Sequence, residues 1–171
     1  MKPGDHPEFF HFPAPEGASR ESSIRLDRDG QFWHDGERLE HPKLEEAFHT
    51  WLRRHPDDRR YILTNGYDWT YLTVDDAPFT VRAVHHEDGG RVRLVLSSGD
   101  TVDLTALSQA SDGSLYTPVR LHDDQYEARF SRLAQTQLEP ALVERDGQVG
   151  VQVGDTWLVP EPRRDDGRQA G

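Results

Sequence analysis

The hydrophobic positions of the chain predict two amphipathic helices. Five apolar side chains recur at intervals of three and four residues, which places them on one helical face. They are Leu44, Ala47, Phe48, Trp51 and Leu52. Pro42 suits the first helical position, and Pro56 predicts that the helix ends at His55. A second helix is predicted from Ser131, a suitable N-cap, to Leu142, although Pro140 strains its last turns.

Alternating apolar and polar residues predict strands over most of the remaining chain. Asp29-Gly30 separates a strand at residues 24–26 from Phe32-Trp33, and Asn65-Gly66 separates residues 61–63 from a returning strand at residues 67–74. Residues 79–84, 91–96 and 101–104 continue as an antiparallel meander. A second Asp-Gly hairpin begins at residue 112, and the last hairpins turn at residues 146–147 and 154–155.

This order of elements predicts the α+β fold class, with two tandem similar small lobes, each made of antiparallel hairpins packed against one helix. The expected divisions are an extended N-terminal arm at 1–20, a first α+β repeat at 21–85, a second α+β repeat at 86–160 and a disordered tail at 161–171. The arm is rich in proline, which opposes regular pairing, and the tail lacks large apolar side chains. Short Asp-Gly hairpins also recur by chance in β-rich chains, so an internal duplication is one of two interpretations.

The charge of the chain narrows the classes of partner. The 171 residues carry 31 acidic and 20 basic side chains and a formal net charge of −11. Such an acidic protein repels phosphate backbones, and its basic residues are interleaved with acids, so no nucleic-acid partner is expected. Because the chain has no cysteine, thiolate chemistry is excluded. The absence of a signal-like segment or a long apolar run favours a soluble, cytoplasmic protein without a membrane partner.

One segment resembles a known family. The residues 74–79 read Val-Asp-Asp-Ala-Pro-Phe, and they follow the Asp29-Gly30 hairpin and precede Ala128-Arg129-Phe130-Ser131-Arg132. This order is similar to that of a proteobacterial family of unknown function, from about Ile24 to about Leu142. The resemblance implies two duplicated α+β lobes and a role in ligand sensing or signalling, and it supplies no catalytic residue. The sequence departs from the family at residues 64–68, where a Thr-Pro-Val-Glu-like stretch is expected.

Candidate catalytic and metal-binding residues have structural interpretations. Asp75 and Asp76 are adjacent on an extended segment, where successive side chains point to opposite faces, so a capping role is favoured over acid–base chemistry. His85 and His86 diverge in the same way and run into a predicted hairpin loop. No serine nucleophile motif, phosphate loop or dinucleotide motif is present. No cofactor and no metal are therefore expected.

Aromatic and basic residues remain as candidates for ligand binding. Tyr67, Trp69 and Tyr71 alternate along one predicted strand, and they form either core or the wall of a site. Arg129 and Arg132 flank the second helix, where they either hold an anion or pair with carboxylates. The predicted ligand-binding residues are Asn65, Tyr67, Trp69, Asp75, Arg82, Arg129 and Arg132.

Three functions remain open at this stage. The first is a non-catalytic binding or signalling protein that recognises a small anionic ligand or a peptide in a groove between the two lobes. The second is a hydrolase or lyase that uses Asp68, Asp75 or Asp76 with a histidine. The third is a protein–protein adaptor that covers an exposed strand edge.

Overall fold

A computed structural model describes residues 1–164, which divide into two compact units. The N-terminal unit comprises Met1–Asp76, and the C-terminal unit begins at Ala77. This division lies before the predicted boundary at residue 85. The reason is that the strand Phe79–His86 pairs on both sides with strands that follow it in the chain. The content of short helices and many strands agrees with the α+β class.

The N-terminal unit contains one α-helix and two small sheets. Its elements are β1 (Arg25–Leu26), β2 (Phe32–His34), β3 (Glu37–Arg38), α1 (Pro42–Trp51), β4 (Leu52–Arg54), β5 (Tyr61–Thr64), β6 (Trp69–Tyr71) and β7 (Thr73–Val74). One sheet has the order β3-β2-β1-β7, and the other has the order β4-β5-β6. The predicted Asp29-Gly30 and Asn65-Gly66 hairpins are confirmed.

Helix α1 begins as predicted but ends early. The Nδ1 atom of His41 accepts a hydrogen bond from the Leu44 N–H at 3.2 Å, and Pro42 occupies the first turn. The sequence predicts helix to His55, and this is wrong for the last turn. Leu52 is fully buried and pairs with Leu63 in the β4–β5 ladder, so tertiary pairing overrides the local helical preference.

The predicted strand at residues 67–74 is two strands in two different sheets. Trp69–Tyr71 pairs antiparallel with β5, whereas Thr73–Val74 pairs parallel with β1. Leu72, which is 7% exposed, lies at the break between them. The sequence analysis missed this parallel pairing because its partner lies almost fifty residues away along the chain.

The C-terminal unit is built on a seven-stranded sheet. Its elements are β8 (Phe79–His86), β9 (Val92–Leu96), β10 (Thr101–Asp103), β11 (Ser108–Gln109), β12 (Leu115–Leu121), β13 (Asp124–Phe130), α2 (Arg132–Gln137), β14 (Leu142–Arg145), β15 (Gln148–Val153), β16 (Thr156–Leu158) and β17 (Glu161–Pro162). The large sheet has the order β10-β9-β8-β13-β12-β11-β17, and β14–β16 form a three-stranded meander. The predicted antiparallel meander β8–β10 is confirmed, whereas the parallel β8–β13 pairing was not predicted.

Helix α2 is shorter than predicted. The Ser131 hydroxyl caps it by accepting from the Ala134 N–H at 3.1 Å. The sequence predicts helix to Leu142, but the α-helix ends at Gln137 and a 3-10 turn, Glu139–Ala141, follows. Pro140 explains the change, since its ring and missing N–H do not fit the interior of an α-helix.

The chain termini differ in part from their predictions. The arm at 1–20 is not extended throughout, because 3-10 turns form at Pro3–Asp5 and Pro7–His11. The predicted disordered tail at 161–171 is wrong at its start, since Glu161–Pro162 pairs parallel with β11 and Arg163 binds Glu127 at 2.7 Å. The remainder of that prediction, from residue 165, lies outside the described residues.

Candidate functional site

The N-terminal unit contains an open pocket of about 260 Å³ with an apolar floor and a polar rim. The apolar lining residues, called the floor, are Ile24, Phe48, Trp51, Leu63 and Trp69, and the polar lining residues, called the rim, are Asn65, Asp68 and Thr70. Pockets that combine apolar walls with a few placed polar groups are typical of ligand sites. This pocket is therefore the candidate functional site of the N-terminal unit.

The helix and one hairpin position the walls of the pocket. Phe48 and Trp51 lie three residues apart on α1, so they share a face, and their ring centroids are 5.7 Å apart. The opposite wall comes from the β5–β6 hairpin, where Leu63 pairs with Thr70 across the ladder. Thr70 is held in place because its hydroxyl donates to the Arg20 carbonyl at 2.8 Å.

The turn between β5 and β6 forms the rim. The Asn65 Oδ1 atom accepts from the N–H groups of Tyr67 and Asp68, at 2.8 and 2.9 Å. Gly66 has a φ of 88°, which an L-residue rarely adopts. Asn65 therefore shapes the turn through an Asx-type interaction and sets where Asp68 stands.

Arg20 secures Asp68 and Trp69 from outside the pocket lining. Its Nη1 atom donates to Asp68 Oδ1 at 2.5 Å and to the Trp69 carbonyl at 2.8 Å, and its guanidinium carbon lies 4.5 Å from the Trp69 ring centroid. The hydrogen bond from Arg20 lowers the pKa of Asp68, and the Coulomb attraction of the same guanidinium acts in the same direction. Asp68 is therefore a stable carboxylate at the rim.

An aromatic cluster lies behind Trp69. The Trp69 ring packs against His55 at 5.0 Å, Tyr71 at 5.1 Å and Phe10 of the arm at 6.1 Å between centroids. His55 is 5% exposed, and its Nδ1 atom accepts from the Asp57 N–H at 3.1 Å. Because the Nδ1 atom acts as an acceptor, the Nε2 atom donates to the Phe10 carbonyl at 3.2 Å. The arm is thus docked on the hairpin that carries the pocket wall.

We expect Phe10→Ala to loosen this docking. Phe10 is half-buried against Trp69 and His55, so its loss should lower the free energy of unfolding by about 1–2 kcal/mol. Urea denaturation measures the change. Phe12→Ala is the matched control, because Phe12 is 58% exposed and should change stability by less than about 0.5 kcal/mol. Equal effects of the two variants would contradict the docking of Phe10.

A charged network borders the same cluster. Arg60 binds both carboxylate oxygens of Glu21, at 2.7 and 2.8 Å, and its guanidinium carbon lies 3.6 Å from the Tyr71 ring centroid. The Arg60 hydrogen bond lowers the pKa of Glu21. Burial and the hydrogen bond that Tyr71 donates to Asp58 at 2.6 Å raise the pKa of Tyr71 to about 12. Burial opposes ionisation of Asp58, but the hydrogen bonds from Tyr71 and the Arg60 N–H outweigh it, and the pKa of Asp58 is lowered.

The lowered pKa values predict acid sensitivity. Glu21 and Asp68 bind protons less readily in the folded state than in the unfolded state. Their contribution to the free energy of unfolding is therefore fully present above their unfolded pKa of about 4, and it is lost as the pH falls through their lower folded pKa values. Urea unfolding between pH of about 6 and about 2.5 measures this loss. Glu21→Gln should flatten the acid limb of the curve, whereas Asp155→Asn, at an exposed acid of the C-terminal unit, should leave it unchanged. An unchanged acid limb in Glu21→Gln would contradict this assignment.

The structure brings only two of the predicted ligand-binding residues into this pocket. Asn65 and Trp69 line it. Tyr67 lies in the turn, is 64% exposed, and has the Lys2 ammonium 5.6 Å from its ring centroid. Asp75 forms an ion pair with Arg25 and does not line the pocket. The predicted row of three aromatic side chains is therefore reduced to Trp69 and Tyr71, which share one face of β6.

The three predicted arginines belong to the C-terminal unit. Arg82 is an exposed residue of β8, and Arg132 is the exposed first residue of the six-residue helix α2. Arg129, in β13, donates to the Oγ atom of Ser114, the residue before β12, at 3.1 Å. A second pocket, of about 400 Å³, lies elsewhere in this unit and contains none of them. Its lining consists of Arg93, Thr101, Val102, Asp103, Thr105, Pro118, Val119 and Arg120.

The carboxylates considered for catalysis each lie near an arginine. Asp68 pairs with Arg20 and Asp75 with Arg25, and Asp76, whose side chain is 3% exposed, has Arg28 at 3.9 Å. Such pairing favours the structural interpretation of these acids over acid–base chemistry. Within residues 1–164, no group of three or more His, Asp or Glu side chains is arranged to hold a metal ion.

Sequence reasoning missed several pocket residues. Phe48 and Trp51 were identified only as members of the apolar stripe of α1. Ile24 and Leu63 were assigned to strands, and Thr70 was not singled out. The only local signal was the pair of large rings at positions i and i+3, which does not distinguish a buried face from one that is half-open.

The fold is similar to two solved structures. A DUF1285 family protein from Silicibacter pomeroyi DSS-3 matches with a TM-score of 0.65 and 20% sequence identity, over 89% of this chain and 86% of that one. A DUF1285 family protein from Shewanella baltica OS155 matches with a TM-score of 0.51 and 17% identity, over 71% of this chain and 94% of that one. No family model and no curated protein matches. The similarity, at this level of identity, concerns the fold.

Within the described part of the chain, no helix combines the length and apolar character that crossing a bilayer requires.

Proposed function

We propose that this chain is a divergent member of the DUF1285 family and a non-catalytic ligand-binding protein whose binding site is the pocket of the N-terminal unit. One observation carries the proposal: the pocket combines an apolar, aromatic floor with an ordered polar rim. Apolar walls supply the binding free energy, and a few fixed polar groups supply orientation. The fold shared with two DUF1285 proteins supports the family assignment.

The finer features expected from the sequence remain part of this proposal. They are the internal duplication, a role in signalling, and contributions to ligand binding, outside the lining of this pocket, from Tyr67, Asp75, Arg82, Arg129 and Arg132. Of the two ligand types expected, a small anion or a peptide, the pocket lining favours the peptide. Asp68 is the only ionisable residue of the described chain that lines the pocket, and its volume of about 260 Å³ suits one side chain or a small molecule.

A thermal-shift screen of metabolites and short peptides tests the proposal on the wild-type protein and two variants. A ligand at 100 times its dissociation constant raises the stability of the native state by about 2.7 kcal/mol, which is visible as a higher melting temperature. Ile24→Phe should fill the pocket and abolish the shift, whereas Thr105→Phe, in the pocket of the C-terminal unit, should preserve it. Shifts that persist in Ile24→Phe and vanish in Thr105→Phe would refute the assignment of the site.

A protein–protein adaptor is the second candidate. Leu142 and Val149 are 45% and 51% exposed on the neighbouring strands β14 and β15. Leu142 pairs with Val151, and Val149 points to the same face as Val151, so the two exposed side chains share one surface. If this surface binds a protein, Val149→Glu should abolish capture of that protein in a pull-down while the thermal shifts of the first test are retained. Capture that survives Val149→Glu would exclude this surface.

The carboxylate-dependent hydrolase or lyase is the weaker alternative. Its three candidate acids lie near arginines, and the pKa of Asp68 is lowered rather than raised. A general acid at neutral pH requires the opposite shift.

A further inference from the structure

The N-terminal pocket is lined by aromatic rings and a carboxylate, although the protein has twenty basic residues. Three of its lining side chains are aromatic, namely Phe48, Trp51 and Trp69, and its single charged side chain is Asp68. Among residues 1–164, no lysine, arginine or histidine lines it. The faces of aromatic rings carry negative partial charge, so the rings and the carboxylate favour the same sign of ligand.

We infer that the ligand of this pocket is an organic cation of the alkylammonium type, with its charged head against the aromatic rings and its counter-charge on Asp68. The inference rests on the proposed function, because it names the class of ligand for the same site. It also chooses between the ligand types expected from the sequence. A small anion would place its charge beside the Asp68 carboxylate, whereas a peptide with a lysine or methylated lysine side chain would fit.

The hydrogen bonds of Asp68 leave one oxygen for such a ligand. Oδ1 accepts from both Arg20 Nη1 and the Trp69 N–H. Among residues 1–164, no group donates a hydrogen bond to Oδ2 of Asp68, and the side chain is 65% exposed. The carboxylate is thus fixed in orientation by its first oxygen and open to solvent at its second. Its lowered pKa keeps it charged.

The positive charge of Arg20 does not make the pocket favour an anionic ligand. Its Nη1 atom binds Asp68 and the Trp69 carbonyl, and its Nη2 atom faces the carbonyls of Phe12 and Pro13, at 3.4 and 3.1 Å. The side chain is 17% exposed and does not line the pocket. Its guanidinium rests on the Trp69 ring, so one ring of this cluster already stabilises a cation. Phe48 and Trp51 are half-buried, and they supply most of the accessible ring surface for a second cation.

Titration of the full chain with three probes tests the inference. The probes are choline, its neutral isostere in which carbon replaces the quaternary nitrogen, and acetate. The indole N–H resonances of the four tryptophans report the location of binding by NMR. Choline should shift the Trp51 and Trp69 signals and leave Trp157, in the C-terminal unit, unchanged. It should bind about tenfold more tightly than the isostere, which has the same shape without the charge.

Two variants separate charge from shape. Asp68→Asn keeps an oxygen for Arg20 and the Trp69 N–H but removes the charge, so choline affinity should fall about tenfold toward that of the isostere. Asp155→Asn, which removes an exposed acid from the C-terminal unit, should change neither affinity.

The outcomes distinguish the inference from the proposed function. Equal affinity for choline and the isostere, or tighter binding of acetate, at Trp51 and Trp69 would overturn the cation assignment and leave the pocket as a binding site. No shift with choline, together with thermal-shift ligands that Ile24→Phe blocks, would also overturn it. If that screen yields no ligand blocked by Ile24→Phe, the proposed function fails as well.

Discussion

Trp69→Ala is expected to lower the free energy of unfolding by about 3–5 kcal/mol, the range for removing a buried aromatic side chain. Trp69 is 6% exposed and forms a buried cluster with Phe9 and Ile62. Its ring also contacts Tyr71 and His55, so the change leaves a cavity that several rings must refill. Because the variant removes a fluorophore, urea unfolding should be followed by far-UV circular dichroism.

Tyr67→Ala is the matched control for Trp69→Ala. Tyr67 lies two residues earlier, and the alternation of aromatic residues places it in the same predicted row. The structure places it in the turn at 64% exposure, so the substitution should change stability by less than about 0.5 kcal/mol. A loss of stability in Tyr67→Ala as large as that in Trp69→Ala would show that Tyr67 is buried in one row with Trp69 and Tyr71. Strand β6 would then begin before Trp69.

Gly150→Ala is expected to destabilise the three-stranded meander β14–β16 by about 1–3 kcal/mol, as overpacking of a buried site does. A Cβ atom on residue 150 would lie 2.5 Å from Trp157 Nε1 and 2.9 Å from the Leu158 carbonyl oxygen. The indole would have to move, which breaks the hydrogen bond that Trp157 Nε1 donates to the Val143 carbonyl at 2.9 Å. The carbonyl oxygen belongs to the paired strand and has little freedom to shift.

The Trp157 indole N–H resonance and urea unfolding together measure this effect. Val149→Ala is the control, because Val149 is the preceding residue of β15 and is 51% exposed. It should leave the Trp157 signal in place and cost less than about 1 kcal/mol. An unshifted Trp157 signal in Gly150→Ala would contradict the close packing of the indole on the glycine.

Local signals in the sequence predicted the starts of elements well. Pro42 begins α1 and Ser131 caps α2, because both preferences act within one turn of the helix. The Asp-Gly and Asn-Gly pairs predicted the hairpins for the same reason, since turn geometry depends on a few adjacent residues.

Pairing between distant segments determined the features of the fold that local signals did not predict. The end of α1 depends on Leu63, which draws Leu52 into a ladder, and the break at Leu72 depends on β1. The parallel pairing of β8 with β13 joins segments about fifty residues apart and has no local signature. Each of these outcomes follows from burial of apolar surface in the folded chain rather than from the preference of a single residue.

The candidate site was predicted in part. Asn65 and Trp69 were identified because a turn residue and an aromatic side chain each carry a recognisable pattern. Phe48 and Trp51 were identified only as part of an apolar stripe, and such a stripe does not reveal where its neighbouring hairpin leaves it open. Arg20 was not singled out, because the partners Asp68 and Trp69 that fix its role lie almost fifty residues away.

Crystals soaked with a mixed library of small cationic, neutral and anionic fragments would show directly whether the N-terminal pocket is the binding site. We expect electron density for a fragment between Phe48, Trp51 and Trp69, with any charged head group being a cation within hydrogen-bond or ion-pair distance of Asp68 Oδ2. Fragments bound repeatedly at other surfaces, with this pocket free of density in every soak, would contradict the claim that it is the binding site of the protein.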